Sequence, residues 1–77
     1  MKIKVLGPGC PKCTQTFNRI METLSEENIP ADLDKVTDVM EIANYGVFGT
    51  PAVVVDGKVK SVGKIPTKAE IIKWVKE

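Results

Sequence analysis

The order of apolar and polar positions along the chain predicts four strands and three helices. An alternating stretch at residues 3–6 and a continuous apolar run at residues 52–55 predict strands, a hairpin return at residues 59–62 predicts another, and residues 31–36 form a weaker, more charged strand. Apolar residues three and four positions apart predict helices that begin after residues 10, 38 and 67. The elements therefore follow the order βαβαββα.

The first predicted helix carries one buried face. It begins at Pro11, because proline suits the first helical position, and it ends near Glu27, ahead of Pro30. Side chains at spacings of three and four indicate which residues turn inward. They are Cys13, Phe17, Ile20, Met21 and Leu24.

Local signals define the second half of the chain. Asp38 suits the N-cap of a short helix. The apolar side of that helix is formed by Val39, Ile42 and Ala43. The dipeptide at residues 56–57, Asp-Gly, is typical of a tight hairpin turn. The Thr-Lys-Ala-Glu sequence at residues 67–70 is a capping box, so the last helix begins there.

These elements predict an α/β fold. The first βαβ unit requires parallel strands and the following hairpin is antiparallel, so the sheet is mixed. The β-branched run over residues 52–55 suits a strand covered on both faces, whereas the charges of residues 31–36 suit a sheet edge. We expect a four-stranded mixed sheet with helices on both faces, formed by residues 1–77 as a single domain.

Composition and charge narrow the possible partners. The chain has 77 residues, of which 43% are hydrophobic and 27% charged, and a formal net charge of +1. This balance gives no strong attraction to nucleic acid or to an anionic membrane. No run approaches the length of a membrane span, and the first apolar run is too short for a signal peptide. We therefore expect a cytoplasmic monomer with no nucleic-acid or membrane partner.

The candidate chemistry lies at Cys10 and Cys13. If Pro11 opens the helix, Cys10 occupies the N-cap and Cys13 the third helical position. Helical residues three apart lie about 5–6 Å from each other, and a disulfide joins residues whose Cα atoms lie about 4.4–6.8 Å apart. The pair can therefore close into a disulfide and reopen without unfolding the helix.

Electrostatics distinguish the two sulfurs. The unpaired amides of the helix N-terminus and the ammonium group of Lys12 favour an ionised Cys10, which lowers the pKa of its thiol below about 8.5. Cys13 lies on the apolar face of the helix and should be more buried. The sequence thus predicts Cys10 as the exposed attacking thiolate and Cys13 as the inward resolving thiol.

The spacing alone leaves three other roles open for the pair. A structural disulfide that closes so short a loop contributes only about 2 kcal/mol. Zinc usually takes four ligands, and the chain has two cysteines and no histidine. Two soft thiolates suit Cu(I), so a carrier of copper or another soft metal is the principal alternative to thiol–disulfide exchange.

The motifs together resemble the thioredoxin and glutaredoxin superfamily over essentially the whole chain. The resemblance rests on Cys-x-x-Cys at the start of the first helix, Gly-Thr-Pro at residues 49–51 before a strand, and the hairpin with its closing helix. Small prokaryotic thioredoxin-like redox-active disulfide proteins are similar in length and order. The resemblance implies a minimal thioredoxin fold and thiol–disulfide oxidoreductase activity. Copper-carrier domains share the cysteine spacing but end in a strand.

The resemblance also implies roles for individual residues. Cys10 matches the nucleophile of the family and Cys13 its resolving cysteine. Pro51 matches a proline held in the cis form beside the disulfide, and Thr50 matches a residue whose backbone pairs with an extended substrate. Thr50, Pro51 and Lys12 form the predicted substrate-binding set. The implied partners are a protein or small-molecule disulfide and an unidentified reductase, with no cofactor and no metal.

The chain departs from the family pattern in four respects. Gly9 stands where thioredoxins have a tryptophan before the first cysteine, and Pro11-Lys12 replaces their Gly-Pro insert. Residues 62–64, Val-Gly-Lys, do not match the glycine pair and acidic residue with which glutaredoxins bind glutathione. No acidic residue is an obvious equivalent of the one that thioredoxins bury beneath the disulfide.

Overall fold

A computed structural model describes residues 2–9, 11–47 and 49–76. Within these ranges the protein contains four strands and three helices in the order that the sequence predicts. They are β1 (Lys2–Leu6), α1 (Pro11–Glu26), β2 (Asp32–Val36), α2 (Val39–Asn44), β3 (Ala52–Val55), β4 (Lys58–Val62) and α3 (Lys68–Lys76). None of the helices in the described residues has the length and apolar character needed to cross a membrane.

One sheet holds the four strands in the order β2-β1-β3-β4. β1 pairs with β2 in parallel, whereas β1 with β3 and β3 with β4 are antiparallel. The charged strand β2 lies at an edge, and all four residues of β3 are buried, as the sequence predicts. Asp56 and Gly57 join β3 to β4 with φ values of 50° and 83°, the signs that a tight two-residue hairpin turn requires.

Alternate strand residues enter two separate cores, one on each face of the sheet. On one face, α1 and α3 pack against side chains that include Val5 and Val53. On the other face, α2 packs against side chains that include Leu6 and Val54. Because neighbouring strand residues point to opposite faces, β1 and β3 contribute to both cores. The predicted minimal thioredoxin fold, with helices on both faces of a mixed sheet, is confirmed.

α1 turns a slightly different face inward from the one predicted. The apolar pattern predicts burial of Met21, but this side chain is 49% exposed, whereas Thr16 and Thr23 are 0% and 1% exposed. The other predicted residues are buried or half-buried, namely Cys13, Phe17, Ile20 and Leu24. Each threonine hydroxyl donates to the carbonyl oxygen four residues earlier, at 2.9 Å and 2.8 Å. The prediction was wrong at Met21 because hydroxyls satisfied in this way can occupy inward positions.

The caps of the later helices lie where the local signals place them. The carboxylate of Asp38 accepts a hydrogen bond from the amide of Met40 at 2.8 Å and begins α2. Thr67 and Glu70 bond each other's amides at 3.3 Å and 3.2 Å, which completes the capping box of α3. The hydrogen bond from Lys64 and that from the Thr67 amide lower the pKa of the Glu70 carboxyl.

Part of the sheet face that carries α2 is polar. Lys4 lies opposite Asp34 of β2, and its ammonium group donates to the Tyr45 hydroxyl at 3.1 Å. This hydrogen bond is the largest cause of a raised pKa at Lys4, and the charges of Tyr45, Asp34 and Glu41 act in the same direction. The six-residue helix α2 covers only part of this face of the sheet, and charged side chains such as Lys4 lie on another part of it.

Ser61 provides a test of the packing between β3 and β4. The residue is 5% exposed, and its Oγ has no hydrogen-bond partner among the described residues. Because an unpaired buried hydroxyl costs about 1–3 kcal/mol, we expect Ser61→Ala to maintain or raise the free energy of unfolding in urea denaturation. Thr23→Val, which removes a buried hydroxyl that has a partner, should be the less favourable change. A loss of more than about 1 kcal/mol in Ser61→Ala would contradict this account.

Candidate functional site

The candidate site lies where the chain leaves β1 and enters α1. Cys13 is in the first turn of α1, has no exposed surface and is disulfide-bonded. Cys10 is the only other cysteine in the sequence, and it lies outside the described residues. The first turn of α1 contains no acidic residue, so no carboxylate there neutralises the partial positive charge at the N-terminus of the helix.

Cys13 packs against the backbone of Gly7, the first residue after β1. Gly7 is buried, and its amide donates to the carbonyl oxygen of Val36 at 2.9 Å. A β-carbon added at Gly7 would overlap the Sγ of Cys13 and would lie 3.9 Å from the Cβ of Thr50. Gly7 thus brings together Cys13 and Thr50, two of the predicted site residues. No motif in the sequence singles out this glycine.

The loop before β3 forms the second side of the site. Thr50 is half-buried, Pro51 is buried, and the peptide bond between them is cis. The amide of Gly63 donates to the Pro51 carbonyl oxygen at 2.8 Å, which ties this loop to the end of β4. Phe48, which precedes Gly49 in the sequence, lies outside the described residues. Lys12, the remaining member of the predicted substrate-binding set, is exposed next to Cys13.

An open groove of about 290 Å³ adjoins Thr50. It is lined by Pro8, Val39, Ile42, Ala43, Val47 and Thr50. Ile42 and Val47 are 6% and 7% exposed and form its floor, whereas Val39 is 66% exposed and is followed by Met40, which is 74% exposed. The lining is therefore mostly apolar and accessible from outside.

The apolar pattern of the sequence does not predict this groove. It places Val39 and Ala43 on the inward side of α2, but both are exposed. The burial prediction was wrong because α2 is too short to cover the sheet and leaves one side of itself open. Two adjacent large apolar residues at the start of a short helix, Val39 and Met40, were the available signal.

Among the described residues, no buried acidic side chain lies near Cys13. In residues 2–9, 11–47 and 49–76, no aspartate or glutamate side chain is buried. The carbonyl oxygen of Lys12 accepts the hydroxyl of Thr16, one turn further along α1 from Cys13. The part of the chain that the structure describes also contains no group of three or more metal-binding side chains. The arrangement therefore presents sulfur chemistry at a helix N-terminus beside an apolar groove.

Comparisons with known proteins place the chain in a family. A family model described as a thioredoxin domain matches residues 1–76. A thioredoxin of Methanocaldococcus jannaschii is 46% identical over 69 residues, which cover 90% of this chain and 79% of that protein. A thioredoxin of Methanothermobacter thermautotrophicus is 33% identical over 73 residues, which cover 95% of each chain. The chain therefore belongs to the thioredoxin family, whose members are thiol–disulfide oxidoreductases.

Proposed function

We propose that the protein reduces disulfides by dithiol–disulfide exchange through Cys10 and Cys13. The observation that carries this proposal is a buried, disulfide-bonded Cys13 in the first turn of α1, beside an open groove. Membership of the thioredoxin family supports the same chemistry and favours it over transport of a soft metal ion. The substrate is a disulfide, and the groove beside the site suits a disulfide in a protein.

The exchange proceeds in two steps. The Cys10 thiolate attacks one sulfur of the substrate disulfide, forms a mixed disulfide and releases the other substrate sulfur as a thiolate. The Cys13 thiolate then attacks the sulfur of Cys10, and the second substrate sulfur leaves. The substrate gains two electrons, and the protein is left with the Cys10–Cys13 disulfide.

Burial of Cys13 supports this order of attack. A substrate disulfide cannot contact a sulfur that has no exposed surface, so the first attack is assigned to Cys10. The 16-residue helix α1 directs its unpaired amides and its positive end toward the N-cap, which favours a thiolate there. The exposed ammonium group of Lys12 adds a positive charge close to the approaching substrate.

Substrate binding is assigned to Thr50, Pro51 and the groove beside them. Thr50 lines the groove and lies close to Gly7, which contacts Cys13, and it can offer its backbone groups to an extended peptide. The apolar floor formed by Ile42 and Val47 suits an apolar side chain of that peptide. A protein disulfide can use this surface, whereas a small disulfide is too short to reach it.

The remaining partner is a source of electrons. A reductase or a small thiol must reopen the Cys10–Cys13 disulfide after each cycle. The sulfurs carry both electrons themselves, so the exchange requires no cofactor. Such a cycle suits a compartment in which thiols are kept reduced, such as the cytoplasm.

Replacement of each cysteine in turn tests the two assigned roles. Cys10→Ser should abolish exchange with a model disulfide, because the remaining thiol is buried. Cys13→Ser should attack once and then accumulate a mixed disulfide, because no resolving thiol remains. Mass spectrometry of the trapped adduct and rates of alkylation near pH 7 measure both effects, with the double serine variant as the control.

Two results would contradict the proposal. The first is an equal rate of alkylation for Cys10→Ser and Cys13→Ser when neither variant traps a partner. The second is copper or zinc that remains bound in stoichiometric amount after dialysis of the reduced protein and blocks alkylation of its thiols. The second result would restore the metal-carrier alternative.

Val39→Glu tests the groove. Val39 is exposed at the rim, so a charge there should disturb substrate more than folding. We expect kcat/KM with a protein disulfide such as insulin to fall about tenfold, because burial of a valine side chain contributes about 1.5 kcal/mol. The rate with 2-hydroxyethyl disulfide, which is small and neutral, should remain at the wild-type value.

Val59→Glu is the matched control for this change. Val59 is also an apolar side chain with substantial exposure, 39%, but it does not line the groove. Val59→Glu should leave the rates with insulin and with 2-hydroxyethyl disulfide at their wild-type values. An equal loss of insulin reduction in the two variants would show that the added charge, and not the groove, is responsible.

A further inference from the structure

Gly7 occupies a position whose backbone conformation does not require glycine. The described glycines with positive φ are Gly9, Gly46, Gly57 and Gly63, and Gly7 is not among them. Its backbone conformation is therefore open to other residues, yet an added β-carbon would overlap the Sγ of Cys13 and lie 2.9 Å from its Cβ. What position 7 requires is empty space beside Cys13.

Neither side of this contact is free to move. Gly7 is buried, and its amide bond to the Val36 carbonyl oxygen, at 2.9 Å, anchors it to the end of β2. Cys13 has no exposed surface, lies in the first turn of α1 and is disulfide-bonded, so its Sγ is not the loose end of a flexible side chain. A methyl group at position 7 must therefore displace the cysteine or the end of β1.

We propose that Gly7 is a positioning residue for disulfide exchange, because its missing side chain leaves the space that Cys13 Sγ occupies when the disulfide is closed. The inference rests on the proposed function, in which Cys13 resolves the mixed disulfide. In that step the Cys13–Cys10 bond forms, the bond between Cys10 and the substrate breaks, and the substrate sulfur leaves as a thiolate. Because Cys13 Sγ must reach its closed position, filling the space opposes this step.

The two half-reactions should respond differently to a larger residue at position 7. The first attack, by Cys10 on the substrate, does not require Cys13 to move. In the reduced protein no disulfide fixes the χ1 angle of Cys13, so its Sγ can turn from an added methyl group at position 7, whereas in the oxidised protein the disulfide fixes the position of the sulfur. A side chain at position 7 therefore weakens the oxidised form relative to the reduced form.

Gly7→Ala tests this inference by separating the two steps. In a Cys13→Ser background, its first attack on 2-hydroxyethyl disulfide should keep the rate of the Cys13→Ser parent. With both cysteines present, resolution of the mixed disulfide should slow about tenfold, the size of effect that overpacking of a tight site produces. The equilibrium constant for closing the disulfide in dithiothreitol buffer should fall about tenfold, which corresponds to about 30 mV for two electrons.

Gly49→Ala is the matched control. Gly49 also lacks a positive φ, and its added β-carbon would meet the Cγ1 of Val62 at 3.3 Å instead of a cysteine. It should leave the closing equilibrium at the wild-type value. If Gly7→Ala is too unstable to assay, the pair Cys13→Ala and Gly7→Ala/Cys13→Ala gives the same answer. Without the sulfur, the added methyl group should destabilise the protein less than it does when Cys13 is present.

Two outcomes would overturn the inference. One is equal destabilisation of the oxidised and reduced forms by Gly7→Ala, with resolution at the wild-type rate. The other is an equal loss of stability with and without the sulfur of Cys13. Either would mean that Gly7 has a structural role alone. Failure of Cys13→Ser to trap any partner would instead reject the proposed function, so the two failures are distinguishable.

Discussion

The antiparallel pairing of β1 with β3 at the centre of the sheet determines where the site can form. In this register Leu6, the last residue of β1, lies opposite Ala52, the first residue of β3. The chain therefore leaves β1 at the same end of the two strands at which the loop containing Thr50 and Pro51 enters β3. Segments about 40 positions apart in sequence meet there, and the contact around Gly7 is a direct consequence.

Cys13 is also continuous with the hydrophobic core. Cys13 lies on the inward side of α1, one turn before Thr16 and two turns before Ile20, all of them without exposed surface. One sulfur of the pair is thus held as firmly as a core side chain, while the other is predicted to lie at the N-cap. This asymmetry underlies the different roles that we propose for two residues of the same type. It is also the basis of the role that we propose for Gly7, a glycine outside the Cys-x-x-Cys motif.

The short α2 helix has two effects on the second face of the sheet. It covers Leu6 and Val36 but leaves part of the face to charged side chains, among them Lys4, which is held by the hydroxyl of Tyr45. It also leaves the groove beside Thr50 open, with Val39 at its rim. A longer helix would have closed both areas. In a domain of this size, the incomplete cover that limits the core therefore supplies a surface suited to a substrate.

The sequence by itself determined the order of the elements, the hairpin, the helix caps and the spacing of the cysteines. These features depend on residues within about four positions of one another, as in the capping box of α3. Only the tertiary structure decided that Val39 and Ala43 of α2 are exposed, because this short helix leaves one side of itself uncovered. It alone also revealed the need for glycine at position 7. That need arises between Gly7 and Cys13, whose contact exists only when β1 and α1 have packed together.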